Sequence, residues 1–231
     1  MMRSHSWGLA AALAALMASA TPVAAQQSLN LSLGGFVPKG EDARVDGDVL
    51  LENRTFLLFD FSDFSTGSIG AEWLVPVGQY LEAGVGAGFS RRTVPTIYDA
   101  YVDRDGSEIE QDLRLRIVPL TATVRILPLG RRHAFEPYVG GGVGWLHWRY
   151  SEVGEFIDFR DFSVFRARYT ANGSEVGPVA VMGARFRLGD HLALGGEFRY
   201  QAGEADLGED FLGPKLDLGG YHYLATLQIR F

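Results

Sequence analysis

Read backwards from its C-terminus, the chain alternates side-chain character with a period of two, and that period restricts it to strands. Over residues 219–231, Tyr221, Tyr223, Ala225, Leu227, Ile229 and Phe231 share one parity, while His222, Leu224, Thr226, Gln228 and Arg230 share the other. Successive side chains of a strand point to opposite faces, so this segment has one apolar face and one mostly polar face. The segment at 192–201 behaves likewise, with Leu192, Leu194, Gly196, Phe198 and Tyr200 opposing Ala193, Gly195, Glu197, Arg199 and Gln201. Across Gly189-Asp190-His191, Ala180, Met182, Ala184, Phe186 and Leu188 oppose Arg185 and Arg187. The same reading marks strands at 135–150, 113–127, 81–93, 68–77 and 29–37. These segments approach the ~9–11 residues that a tilted strand needs to cross a bilayer.

The connections sort by length. Short ones lie around Gly78-Gln79, at 128–134 and at 189–191, and long ones at 38–64, 94–112, 151–176 and 204–217. Short and long alternate along the chain. With both termini at one end, every short turn falls there and every long loop falls at the other, the asymmetry of bacterial outer-membrane barrels.

The N-terminus fits export. Arg3 precedes an apolar run at 9–18, and Val23, Ala24 and Ala25 offer small residues before Gln26, which predicts a signal peptide over 1–25 and a barrel domain over 26–231. An uncleaved anchor is the alternative, but the run is short for a span. The chain has no cysteine, so disulfides cannot supply its stability. Removing Arg3 takes the formal charge from −7 to about −8, which argues against a nucleic-acid partner. Beyond the signal no apolar run reaches helix-span length, so a membrane crossing must use strands closed into a ring.

Which face is wet decides between a soluble and a membrane barrel. One face carries Glu72, Glu82, Arg125, Glu136, Arg185, Glu197, Arg199 and Arg230, together with Gly84, Gly86, Gly88, Gly140, Gly142 and Gly144. In a soluble barrel that charged face would point outward. Glycines and charges of both signs fit a narrow, ion-paired interior instead. The other face is apolar, with Trp73, Phe89, Trp145, Phe198, Tyr200, Tyr221, Tyr223 and Phe231 near strand ends, as interfacial aromatic girdles would be. The expected fold is all-β: a transmembrane antiparallel up-and-down barrel of about eight strands.

Residues 221–231 (YHYLATLQIRF) resemble the C-terminal strand of outer-membrane β-barrel proteins, and residues 136–144 (EPYVGGGVG) resemble a strand of small OmpW-like and OmpA-like barrels. The resemblance spans essentially the whole mature chain. It implies that Tyr221, Tyr223, Leu227, Ile229 and Phe231 form the signal read by the barrel-assembly machinery. It implies outer-membrane lipids and lipopolysaccharide as surroundings, and it leaves function open, because such barrels serve different ends.

No catalytic, cofactor or metal site is expected. Hydrolysis would need His147 or His222 beside a serine and a carboxylate, and no spacing resembles known outer-membrane acyl enzymes. His133 and His191 fall in short turns. Asp99, Asp103, Asp105, Glu108, Glu110 and Asp112 make an acidic loop; Asp103-Arg104-Asp105-Gly106 lacks the full spacing and terminal Glu of a calcium loop and reads better as a turn in a solvated acidic loop that meets divalent ions bridging lipopolysaccharide. The first and third long loops are aromatic, with Phe56, Phe59, Phe61 and Phe64, then Phe156, Phe159, Phe162, Phe165 and Tyr169. They either gate a hydrophobic path or extend strands and cap the barrel. The expected function is a non-catalytic envelope barrel with a salt-bridged, plugged lumen formed by Glu72, Glu82, Glu136 and Glu197 against Arg125, Arg185, Arg199 and Arg230. The alternative is an OmpW-like conduit for small hydrophobic molecules.

Overall fold

The computed structural model describes residues 27–231, so the expected signal peptide lies outside the described residues. The strands, in chain order, are β1 (Ser28–Pro38), β2 (Thr66–Val77), β3 (Leu81–Val102), β4 (Glu108–Ile126), β5 (Phe135–Asp158), β6 (Ser163–Arg187), β7 (Leu192–Gln201), β8 (Glu204–Asp206), β9 (Lys215–Asp217) and β10 (Gly220–Arg230). Eight of them close a barrel in the order β1-β10-β7-β6-β5-β4-β3-β2, while β8 and β9 form a separate hairpin. Each sequence neighbour pairs antiparallel, and β1 closes on β10 from Ser28↔Arg230 to Pro38↔Gly220. Closure leaves no ribbon edge, which is what a strand protein in hydrocarbon requires.

Side-chain parity sets the two faces. On β4 the odd positions from Ile109 to Arg125 are buried, and Val118, Leu120, Ala122, Val124 and Ile126 point outward. With the outward residues of neighbouring strands (Val139, Val143, Trp145, Met182, Phe186, Val85) these make an apolar belt. Aromatic pairs mark both rims of the belt. Phe135–Phe186 (4.8 Å) and Trp73–Phe231 (5.1 Å) lie at the end of the short turns. Tyr200–Tyr221 (5.4 Å) and Phe198–Tyr221 (5.8 Å) lie at the other.

Four strands run far past the belt. The expected loops at 94–112 and 151–176 are largely strand, because β3, β4, β5 and β6 reach 22, 19, 24 and 25 residues. Their pairing continues to the hairpin tips, with β5 and β6 in register from Phe135↔Phe186 to Asp158↔Ser163. The alternation persists there, but the outward residues become polar, and above the bilayer a strand needs no greasy outer face. The long first connection is different. It holds a 3-10 turn (Glu41–Ala43), a short helix α1 (Val49–Asn53) and a second 3-10 turn (Phe61–Phe64). Five residues are too few for a stable helix in isolation. α1 forms because the Asp48 carboxylate caps it, accepting from Leu50 N at 2.8 Å, and because Val49 and Leu50 are buried.

Candidate functional site: the barrel lumen

The lumen has two layers. In the lower one, all eight charged residues singled out from the sequence point inward and meet. Arg125 on β4 bonds Glu72 on β2 and reaches Glu197 Oε2 on β7 at 2.9 Å. Arg199 bonds Glu197 at 2.7 Å and Glu72 at 3.1 Å. Nearer the short turns, Arg185 bonds Glu82 at 2.6 Å and Glu136 at 2.9 Å, and Arg230 bonds Glu136 at 2.6 Å. Four carboxylates thus face four guanidinium groups. Arg131, from the turn before β5, adds a fifth cation 3.2 Å from Glu82.

Two neutral residues that sequence reasoning missed tie these groups together. The Tyr138 ring lies between Arg125 (4.8 Å) and Arg185 (5.3 Å), so its π faces hold the two cations of neighbouring clusters. Its hydroxyl donates to Glu197 Oε2 at 2.9 Å, and Thr123 donates to Glu72 Oε1 at 2.7 Å. Tyr138 has the parity of Glu136, so its inward direction was legible, but its partners were not. Gly84 makes the space: a Cβ there would stand 2.5 Å from Glu72 Oε1 and 2.9 Å from Thr123 Oγ1.

The upper layer is apolar. Leu113, Leu115, Ile117, Leu146, Trp148 and Tyr150 point inward from the arms and meet Leu50, Leu57, Phe61 and Phe64 of the first connection, with Leu216 and Leu218 of the fourth. The first connection is therefore folded down as a lid. Phe59 packs edge-on against Phe61 (6.1 Å) and Phe64 (5.8 Å). Phe159 and Phe162 are exposed instead, at the β5–β6 tip with Tyr101, and Phe156 packs against Phe165 and Tyr169.

A buried polar latch holds the lid. Asp48 Oδ2 accepts from Arg44 Nη2 at 2.9 Å and from the Asp217 amide at 2.6 Å. Arg44 also donates to the Asp217 carbonyl at 3.1 Å, and Lys39 bridges the Asp217 carboxylate at 2.9 Å. On the other side, Asn53 donates to Glu152 Oε1 (2.5 Å) and Tyr150 donates to the same oxygen (2.8 Å). Burial pushes the Glu152 carboxyl above its ordinary value, against the lowering effect of Asn53, Tyr150 and Gln111.

His147 and His222 each have a serine beside them: Ser174 is the register partner of His147, and Ser68 reaches His222 across β1 inside the lumen. Ser174 Oγ lies 2.6 Å from His147 Nδ1 on the outer face, without a carboxylate bonded to that ring. His222 lies between Ser68 Oγ (3.2 Å from Nδ1) and Gln201 Oε1 (3.2 Å from Nε2). All three are buried in the lumen beneath the lid, beside a cavity of only about 20 Å³. They form a buried hydrogen-bonded chain, Ser68–His222–Gln201. Of the turn histidines, His191 sits 3.2 Å from the Arg230 carbonyl.

Asp103-Arg104-Asp105-Gly106 is a hairpin turn, closed by the Asp103 amide donating to the Ser107 carbonyl and by Gly106 at φ 85°. Hydrogen bonds from Ser107 lower the Asp105 carboxyl. Among the described residues no group of three or more His, Asp and Glu side chains is placed to hold a metal ion. No helix of the described residues is long and apolar enough to cross a membrane.

Residues 10–218 match the family model described as outer membrane protein beta-barrel domain. No curated protein matches the chain. Among solved structures, the chain is similar to neisserial surface protein A, NspA (8% identity, 89% of this chain and 97% of that one, TM-score 0.46). It is also similar to Ail, the attachment invasion locus protein of Yersinia pestis (11% identity, 90% and 99%, TM-score 0.45). A third is outer membrane protein W of E. coli (14% identity, 90% and 98%, TM-score 0.42).

Proposed function

Because the chain belongs to the outer membrane protein β-barrel family and resides in the bacterial outer membrane, we propose that it is a non-catalytic envelope barrel whose lumen is plugged. The observation that carries this reading is the double filling of the interior. Four carboxylates and four guanidinium groups bridge the lumen below, and an apolar lid fills it above. A ring of eight strands encloses little more than its own side chains, so cross-lumen ion pairs leave no continuous water column. A conduit for small apolar molecules would need a path between or through these layers, lined by Phe59, Phe159 or Phe162; Phe59 packs within the lid, and Phe159 and Phe162 stand exposed at the β5–β6 tip.

What remains to act is the outside: an apolar belt, four strand arms and an exposed aromatic tip around Phe159 and Phe162. Envelope integrity and surface interaction are the roles open to such a molecule. Tyr221, Tyr223, Leu227 and Ile229 share the outward face of the closing strand β10 and Phe231 directly follows it, a placement compatible with their serving the assembly machinery before closure.

Planar-bilayer recording of the refolded mature chain tests the plug. The expected record is a quiet membrane without long-lived conductance steps. Large, stable steps from the unmodified chain would refute it.

A further inference from the structure

Directly above the apolar belt, the outward positions of one cross-strand row carry arginine on three adjacent strands, β3, β4 and β5. Arg91 on β3 is paired in register with Arg116 on β4, and Arg116 with Arg149 on β5. Outward neighbours in register lie about 5 Å apart, and like charges placed so destabilise a sheet. All three are exposed, and no ion pair of the described residues involves them, whereas Arg114 is bridged to Asp112 at 2.8 Å. Arg168 on β6, opposite Val153, is likewise exposed and outside these ion pairs. The row therefore carries an electrostatic cost that nothing within the sheet offsets.

The surroundings specify what would offset it. Arg91, Arg114, Arg116, Arg149 and Arg168 line one shallow cavity of about 400 Å³, with Ser151 and Thr170 as hydroxyl donors. A second cavity of about 490 Å³ continues from Arg116 and Arg149 down to His147, Asn172 and Ser174. Below these lie Val118, Leu120, Val143 and Trp145, the lipid-facing belt. The basic sector is one-sided: on β7, β10, β1 and β2 no outward strand position is charged, and Tyr200, Tyr221 and Tyr223 stand at the same rim. Guanidinium groups bind phosphate through paired, charge-assisted hydrogen bonds.

We infer that Arg91, Arg116, Arg149 and Arg168 form a docking site for the phosphate-bearing headgroup of an outer-leaflet glycolipid, whose acyl chains lie on the belt beneath. This goes beyond the plugged-lumen reading and stands without it, since it uses only the outer face. Hydroxyls at Ser151, Thr170 and Ser174 suit the sugar, and one anionic headgroup neutralises several arginines at once. The same surface would tether lipid to one side of the barrel.

The test is retention of bis-phosphorylated lipid A by the purified mature chain in detergent, read by native mass spectrometry. Arms with enzymatically dephosphorylated lipid A and with inorganic phosphate accompany it. The expected result is retention of the phosphorylated lipid that falls at least tenfold with the dephosphorylated one, with no displacement by millimolar inorganic phosphate. R91Q/R116Q/R149Q should lose at least tenfold while keeping heat-modifiable gel mobility, and R104Q/R132Q/R160Q, which removes equal charge elsewhere, should retain lipid as the unmodified chain does. If the first triple variant misfolds, R116Q/R149Q and the lysine triple R91K/R116K/R149K take its place, both with weakened retention. Equal retention of both lipids, equal loss in the control triple, or displacement by free phosphate would each overturn the proposal.

Discussion

The Arg125 guanidinium crosses the lumen from β4 and stops 2.9 Å from Glu197 Oε2 on β7. Neither residue is near the other in sequence or in the sheet, so the bond fixes the width of the barrel as well as its charge balance. Glu197→Gln removes the charge that Arg125 and Arg199 share, and leaves both cations in a closed interior. Both keep Glu72, but breaking a buried ion pair by removing one partner still costs about 3–5 kcal/mol. Urea unfolding in lipid vesicles should show that loss, and Arg125→Met alone should show a similar one through Glu72 and Glu197. A change below about 0.5 kcal/mol, the range of ordinary surface substitutions, would mean that the lumen is wet enough to screen the pair.

The lid has its own weak point. The Asp48 carboxylate caps α1 and accepts from Arg44 and the Asp217 amide, so Asp48→Ala releases three donors together. Trypsin should then cut at Arg54 far faster than in the unmodified chain, while heat-modifiable mobility persists because the lower network is intact. Unchanged cleavage would show that the apolar contacts of Leu50 and Phe64 hold the lid without the latch.

Lid docking should also depend on pH. Burial raises the Glu152 carboxyl in the folded chain, outweighing the hydrogen bonds from Asn53, Tyr150 and Gln111 that favour its charged form. A raised folded pKa contributes stability that is fully present below the unfolded value and is lost as pH rises through the folded one. Protection of the α1 amides, corrected for intrinsic exchange rates, should therefore fall as pH rises above the ordinary carboxylate range. Glu152→Gln keeps a neutral acceptor and should flatten that profile. A profile as steep in the variant as in the parent would assign the effect to another group.

The serine–histidine contacts make a sharp negative prediction. A fluorophosphonate probe should label neither Ser68 nor Ser174, because one is sealed under the lid and the other lacks a carboxylate on its histidine. Covalent labelling at either position would contradict the non-catalytic reading.

Much of this architecture was legible in the amino-acid order because the belt imposes a simple code: outward means apolar, inward means small or paired. Glu136 and Arg185 could be placed inside from parity alone. The arms escaped that code, since Arg116 and Arg149 alternate with inward Ile117 and Trp148 and so reverse the polarity of the belt. The lid escaped it too. α1 is five residues long and depends on Asp48 and Arg44 meeting Asp217, which lies far away in sequence and is brought to them only by barrel closure. Tyr138 and Arg131 joined the charge network for a related reason: direction follows from period, but partnership across a lumen follows from register and strand tilt.

The most direct measurement uses the absence of native cysteine. Single cysteines at Thr123, inside the lower network, and at Ala100, on an exposed arm, would be exposed in lipid vesicles to a small charged thiosulfonate reagent. A filled lumen predicts prompt reaction at position 100 and, with opening only by rare local fluctuations, reaction roughly 100-fold slower at position 123 until the protein is unfolded. Equal rates at the two positions in the folded protein would show water reaching the ion pairs, and would contradict the plugged barrel.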